Sequence, residues 1–353
     1  MTIEQSDMPK QYRDLIAGRR SIHETPIDEN NGASKSINTS KVQGALECGM
    51  LTRKVSIQGK YQPLNYCSSR WTLFVRRNMI SVKEKLPDFW NLSKRIASDL
   101  RAEKFTDWER LIQTTNPLLE QNFIDKIDKV IPGWRKIATV HDGQTAIHTL
   151  LVFVTCLNLP EYGQADIQTR MEIEWAAVLH DLDKDRARND AAHPFRSAAV
   201  AVRIMPELGF DLLPNITMTD LEAWSNLARS AQRQDGERMV HDHSFLQEII
   251  DGIHKCWGNN SPATRVLKAV LLHQSLPTLR DWSSAVLLTD RELSYSLTLE
   301  DMDILGNLII ADSDSWNIFT DHRFAYLVEV RASNAETRRR IQKMVNKNEA
   351  SNA

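Results

Sequence analysis

The stretch Ala177-Val178-Leu179-His180-Asp181-Leu182-Asp183-Lys184 decides the reading of this chain. An apolar helical run ends there in adjacent His and Asp, which offer a nitrogen and a carboxylate oxygen to one cation. The dipeptide recurs at His141-Asp142 and His241-Asp242, so alone it carries little. Its company distinguishes it. His148 lies upstream, and His193, His273 and Asp312 lie downstream, each in its own predicted helix.

Placement on those helices supplies the physical argument. In the helix expected over 299–318, the apolar stripe is Leu305, Leu308, Ile309, Trp316 and Phe319, and Asp312 falls on that stripe. A carboxylate on a buried face is costly unless it is paired or metal-bound. Asp312 is therefore either an ion-paired core residue or a ligand, while Asp314, on another face, reads as solvated. His273 shares a side with Val266, Ala269 and Val270. His148 lies with Ile147, Leu151 and Val152, and His180 with Ile173, Ala176 and Ala177. Any one of these is more often a satisfied core histidine. Four inward histidines and two carboxylates on several helices are harder to explain that way. Imidazole plus carboxylate suits a divalent transition metal (Mn, Fe, Zn, Ni or Co, with Mg also admissible), and ligand type alone selects none of them.

The ordered set resembles the HD superfamily of metal-dependent phosphohydrolases over roughly half the chain. Thr145–Val152 resembles its opening histidine helix and Leu179–Lys184 its HD-x-x-K core. Ala192–Ala198 resembles the third motif, Val270–His273 the fourth and Ile309–Asp312 the closing helix. The resemblance implies a primary metal on His148, His180, Asp181 and Asp312. It implies a second metal completed by His193 and His273, with Asp181 bridging, so one or two ions in all. His241 or His243 is the rival for the third position. His193 is preferred for its Ser197-Ala198 follow-on, which leaves 215–261 as an insertion whose His241, His243 and His254 read as surface residues. Gln274 stands where the cyclic-dinucleotide branch has a second His, and its G-Y-P signature is absent. Asp183 stands where Gly is common and adds negative charge beside the site.

Implied chemistry is hydrolysis of a phosphate mono- or diester by metal-activated water, on a nucleotide or related phosphorylated small molecule. Asp181, Lys184 and Arg196 are the candidate catalytic residues. Asp181 would orient water, Lys184 would reach the phosphate from one turn after His180, and Arg196 would clamp it from one turn after His193. Surface ion pairs are the plain alternative for both cations. Two other classes compete: an HD-type di-iron oxygenase, which suits His241 or His243 as third ligand, and a non-catalytic HD-fold binding module. No phosphate-loop, dinucleotide, nucleophile-elbow or H-E-x-x-H motif occurs.

Composition narrows the setting. The 353 residues carry 42% hydrophobic and 25% charged side chains, with 44 basic against 46 acidic, a formal charge of −2. No general nucleic-acid-binding surface is indicated. Cys48, Cys67, Cys156 and Cys256 are widely spaced, so neither a zinc module nor a disulfide framework is expected. The longest apolar stretch, Thr149–Leu159, is too short to span a bilayer, and Met1–Arg20 lacks a signal-peptide core. A cytoplasmic protein without membrane association is expected, its oligomeric state open.

The fold class is all-α: an HD-type helical bundle with a helical or irregular N-terminal extension and a small β-hairpin. Residues 1–50 read as a flexible polar leader and 51–135 as a mostly helical accessory region, with the hairpin near 54–75. The HD domain spans 136–325, and 326–353 is a charged helix and tail. Successive helices are expected at 143–158, 166–182, 193–206, 218–232, 243–256, 262–275 and 299–318, then Asp321–Lys347. Arg338-Arg339-Arg340 in the last reads as a solvated face.

Overall fold

The computed structural model describes residues 79–352, apart from 116–117, 120, 140–143, 185–189 and 277–285. The leader, the hairpin expected near 54–75, Cys48, Cys67, His141 and Asp142 lie outside the described residues.

Helices α1 (Val82–Lys85), α2 (Pro87–Arg101), α3 (Trp108–Thr115), α4 (Gln121–Val130) and α5 (Trp134–Thr139) precede the motifs. Pro87 sits in the first turn of α2, where its missing N–H costs nothing. The motif-bearing run follows as α6 (Gln144–Asn158), α7 (Pro160–Gln164), α8 (Ile167–Leu179) and α9 (His193–Ile204). Next come α10 (Met218–Ser230), α11 (Leu246–Trp257), α12 (Pro262–Leu272) and α13 (Asp290–Ser296). Helices α14 (Asp301–Asn317) and α15 (Arg323–Asn352) complete the order. The class is all-α. One antiparallel hairpin, β1 (Gln232–Asp235) with β2 (Arg238–His241), interrupts it, pairing Gln232 with His241 and Asp235 with Arg238.

The core forms around α6, α8, α12 and α14, which pack on one another. Residues 145–156 of α6 are buried on every side, as expected for a helix apolar all round. The N-terminal helices join this core through Phe89 of α2, whose ring meets Trp134 edge-on at 5.7 Å and Phe153 of α6 at 5.0 Å. Two buried ion pairs cross-link the motif-bearing helices. Arg265 of α12 grips Glu172 of α8 with two guanidinium nitrogens, and Lys268 of α12 donates to Asp301 of α14 at 3.0 Å. A buried charge left alone is strongly destabilising, so each pair resists sliding of its helices.

Segment 215–261 does not sit apart. Its Leu221, Trp224, Ala228, Ile249, Ile250, Ile253 and Trp257 are buried, and α10 packs along α9. Trp224 Nε1 donates to Ile249 O at 2.8 Å, tying α10 to α11. The charged C-terminal segment is one helix, α15, packed on α14. The three arginines expected on a solvated face are each paired, Arg338 with Asp303, Arg339 with Glu336 and Arg340 with Asp290. Among the described residues no helix is long and apolar enough to cross a membrane.

Candidate metal centre

Three of the four histidines stand at helix ends. His180 is the C-cap of α8 and His273 the C-cap of α12, while His193 opens α9 with Pro194 behind it. Helix-terminal carbonyls have no intrahelical donor. His180 Nδ1 therefore donates to Ala177 O at 2.8 Å, and His273 Nδ1 to Val270 O at 2.8 Å. His193 Nδ1 donates to Asp190 O at 2.7 Å. That carbonyl is held by the hairpin, where Asp190 bridges Met239 and Ala191 N donates to Met239 O at 3.0 Å. His148, inside α6, places Nδ1 3.1 Å from Ser315 Oγ, whose own proton goes to Asp312 O at 2.6 Å.

A carbonyl can only accept, so Nδ1 must carry the proton in each of these rings. Every neutral ring then turns a bare Nε2 inward. Nε2 of His148, His180 and His273, and Oδ1 of Asp181, are buried without a hydrogen-bond partner. The Asp181 carboxylate lies between them. Its Oδ2 is 3.6 Å from His148 Nε2 and 3.5 Å from His180 Nε2. Its Oδ1 is 2.9 Å from His193 Nε2 and 3.9 Å from His273 Nε2. Asp312 Oδ1 stands 3.0 Å from His148 Nε2. Two clusters result, His148-His180-Asp181 and Asp181-His193-His273, sharing one carboxylate.

Lone pairs facing lone pairs at these distances call for a cation. A proton is a poor one here. Burial pushes His148 below the ordinary imidazole range, and burial with the neighbouring His180 and His193 takes His273 down to about 3. Burial raises the Asp181 carboxyl, but attraction to His180, Lys184 and His193 prevails and holds it well below the carboxylate range. Burial likewise raises Asp312, and its hydrogen bond and attraction to His148 bring it down. Both acids are ionised and both rings neutral at pH 7. The donors match those that hold divalent metals, and the C-termini of α8 and α12 add negative dipole ends. The buried His/Asp cluster can hold a metal ion.

Five of the six ligand candidates make up the two clusters, and Asp312 adjoins them through His148. Lys184 Nζ lies 2.8 Å from Asp181 Oδ2 and 5.9 Å from the Trp316 ring centre. Arg196 makes its hydrogen bonds with Asp190, Gln232 and Asp183. Its guanidinium grips Asp190 with both terminal nitrogens and donates to Asp183 O at 3.0 Å. It thereby steadies the segment whose carbonyl orients His193.

Four expectations need correction. Asp183 adds no uncompensated charge, because Lys136 and Arg229 both pair with it. Asp314 is buried, and Arg323 holds it through two nitrogens at 2.6 and 2.7 Å. Trp316 leaves the buried stripe and is 47% exposed. Of the three histidines expected at the surface, His241 is buried and His243 and His254 are half-buried. His241 is buried and stacked on Phe195 at 4.1 Å, and His243 pairs with Glu292 at 3.2 Å. Neither His241 nor His243 enters the two clusters.

Sequence reasoning missed Ser315 and Gln274. Ser315 follows Asp312 by three residues, a spacing that puts it on the same face of α14 and could have drawn notice. Gln274 places Nε2 3.4 Å from His193 Nε2, a contact no local pattern announces. Comparison with protein-family models, with curated proteins and with solved structures returned no match for this chain.

Proposed function

We propose that this protein is an HD-type metal-dependent phosphohydrolase that cleaves a phosphate mono- or diester. One observation carries the reading: Asp181 turns one carboxylate oxygen toward His148 and His180 and the other toward His193 and His273. A shared carboxylate between two nitrogen-rich clusters suits a pair of divalent ions acting on phosphate. His148, His180, Asp181 and Asp312 would hold one ion, and Asp181, His193 and His273 the other.

Bound divalent metal would lower the pKa of a coordinated water and offset charge on the phosphate oxygens. The chain's own residues do the rest. Lys184, 23% exposed, keeps its ammonium on Asp181 and has donors left for a phosphate oxygen. Asp312 is 18% exposed, the most open of the six candidate ligands, and its carboxylate can accept a hydrogen bond that orients an attacking water. Buried apolar helices behind the histidines exclude bulk water. Arg196 serves as a positioning residue, spent on Asp190. The di-iron oxygenase alternative draws on His241 or His243 as third ligand, and the place of His193 against Asp181 Oδ1 favours the hydrolase.

Elemental analysis of protein purified without chelators tests the reading, with the His180→Ala/Asp181→Ala variant as control. One or two equivalents of transition metal, lost in the variant, together with phosphate release from p-nitrophenyl phosphate or its bis-ester, are expected. Metal without release from either ester would sink the hydrolase, and about two irons with oxygen consumption would install the oxygenase.

A further inference from the structure

The six ligands are unequally reachable. His148, His180, Asp181, His193 and His273 are closed off, whereas Asp312 is 18% exposed. Lys184, touching Asp181, is the next open group. The mouth of the site is therefore beside Asp312 and Lys184. Trp316 stands at that mouth, one helical turn beyond Asp312 on α14.

Trp316 is the most exposed of the described tryptophans. Trp134, Trp175 and Trp257 are fully buried, whereas Trp316 leaves 47% of its surface open. It is not a loose side chain. Its ring stacks on His148 with centres 4.3 Å apart and planes at 21°. Trp108 of α3 braces it at 5.8 Å, and Phe319 meets Trp108 edge-on at 6.1 Å. Lys184 Nζ lies 5.9 Å from the indole centre. A braced, partly exposed aromatic side chain thus lies beside Lys184, the cation that touches Asp181.

We propose that Trp316 is the specificity-determining residue of this site, an aromatic shelf for the organic half of the ester. Resting on the phosphohydrolase reading, the proposal names the substrate class: esters that carry a planar aromatic group, such as a nucleobase, near the phosphate. Lys184 and the metal-ligand clusters take the phosphate, and the ring stacks on the open indole. Plain sugar phosphates, with no ring to stack, lose that contact. Stacking tolerates any flat ring, so the shelf selects a class and not one base.

Adenosine 5′-monophosphate and ribose 5-phosphate share phosphate and sugar and differ by the base, which makes them the probes. Phosphate release is measured with both, on metal-loaded parent, Trp316→Leu and Trp316→Phe, with metal content determined for each. The parent should prefer the nucleotide. Trp316→Leu should cut that preference by roughly tenfold, mainly through KM, and Trp316→Phe should restore part of it. An unchanged preference in Trp316→Leu overturns the shelf and leaves the hydrolase standing. Equal losses on both probes with loss of metal also overturn it, since Trp316 then merely props His148. If the parent releases phosphate from neither probe, nucleotide binding to parent and Trp316→Leu is measured by calorimetry. Binding that depends on Trp316 keeps the shelf without hydrolysis of these monoesters, the hydrolase reading being decided by the p-nitrophenyl esters, and binding indifferent to Trp316 removes the shelf.

Discussion

Asp181 is the residue on which the centre turns, because each of its oxygens faces a different pair of histidines. Asp181→Asn should abolish binding of both ions, while His193→Ala should remove one equivalent and keep the other. Plasma emission analysis of the two variants checks this, and equal stoichiometry in both would refute the shared carboxylate. Ser315 acts one step further out. It accepts from His148 Nδ1 and donates to Asp312 O, so it fixes one ring and the helical turn bearing another ligand. Ser315→Ala should weaken metal binding about 10–100-fold with little change in fold. Competition against a chromogenic chelator measures that, and unaltered affinity would deny Ser315 its orienting role. His148, His180, His273 and Asp312 were legible as candidate ligands because a polar residue on an apolar helical face is conspicuous at period 3.6, whereas His193 and the bridging place of Asp181 came from the family resemblance. The partners of Asp183, Asp314 and Arg196 were not legible. Lys136 reaches Asp183 from 47 residues away, and no local pattern encodes such a pairing.

Helices were readable as elements, and their ends were less so. The expected helices 166–182 and 262–275 stop at Leu179 and Leu272, leaving His180 and His273 as caps. Capping frees the last carbonyls to orient those rings, so the misplaced ends matter to the chemistry. The hairpin at Gln232–His241 escaped notice because its β1 residues are polar and mostly exposed, without an alternating apolar face. Segment 215–261 reads as peripheral only in one dimension. Gly252 of α11 faces Trp224 of α10, and a Cβ there would overlap the indole ring. Gly252→Ala should therefore destabilise the protein by about 1–3 kcal/mol through overpacking. Urea unfolding measures it, and a neutral result would mean that α10 and α11 yield independently of the rest.

At the scale of the whole molecule, the buried histidines make the metal-free protein acid-sensitive. Burial lowers His148, His241 and His273, the last to about 3, from an ordinary value of 6.5. The unfolded chain takes up protons below pH 6.5 that the folded one refuses. Their contribution is thus complete above pH 6.5 and erodes as pH falls, for His273 down to about 3 at about 1.4 kcal/mol per pH unit. Asp181 and Asp312, held below the carboxylate range, add a loss of the same sign below about pH 4. Thermal unfolding of chelator-treated protein from pH 8 to pH 4 should show the decline starting near 6.5. A flat profile down to pH 5 would contradict the burial of these rings.

The sequence by itself determined the all-α class, the order of the helices and the placing of His148, His180, His273 and Asp312 on apolar helical faces. Those follow from local periodicity and from the cost of burying polar groups, which each segment carries within itself. Tertiary structure alone decided which Asp181 oxygen faces which histidines, that Arg196 grips Asp190, and that Trp316 stacks on His148 with part of its ring exposed. These depend on how helices far apart in the chain cross, and the packing of one helix on another is not encoded in the pattern of either.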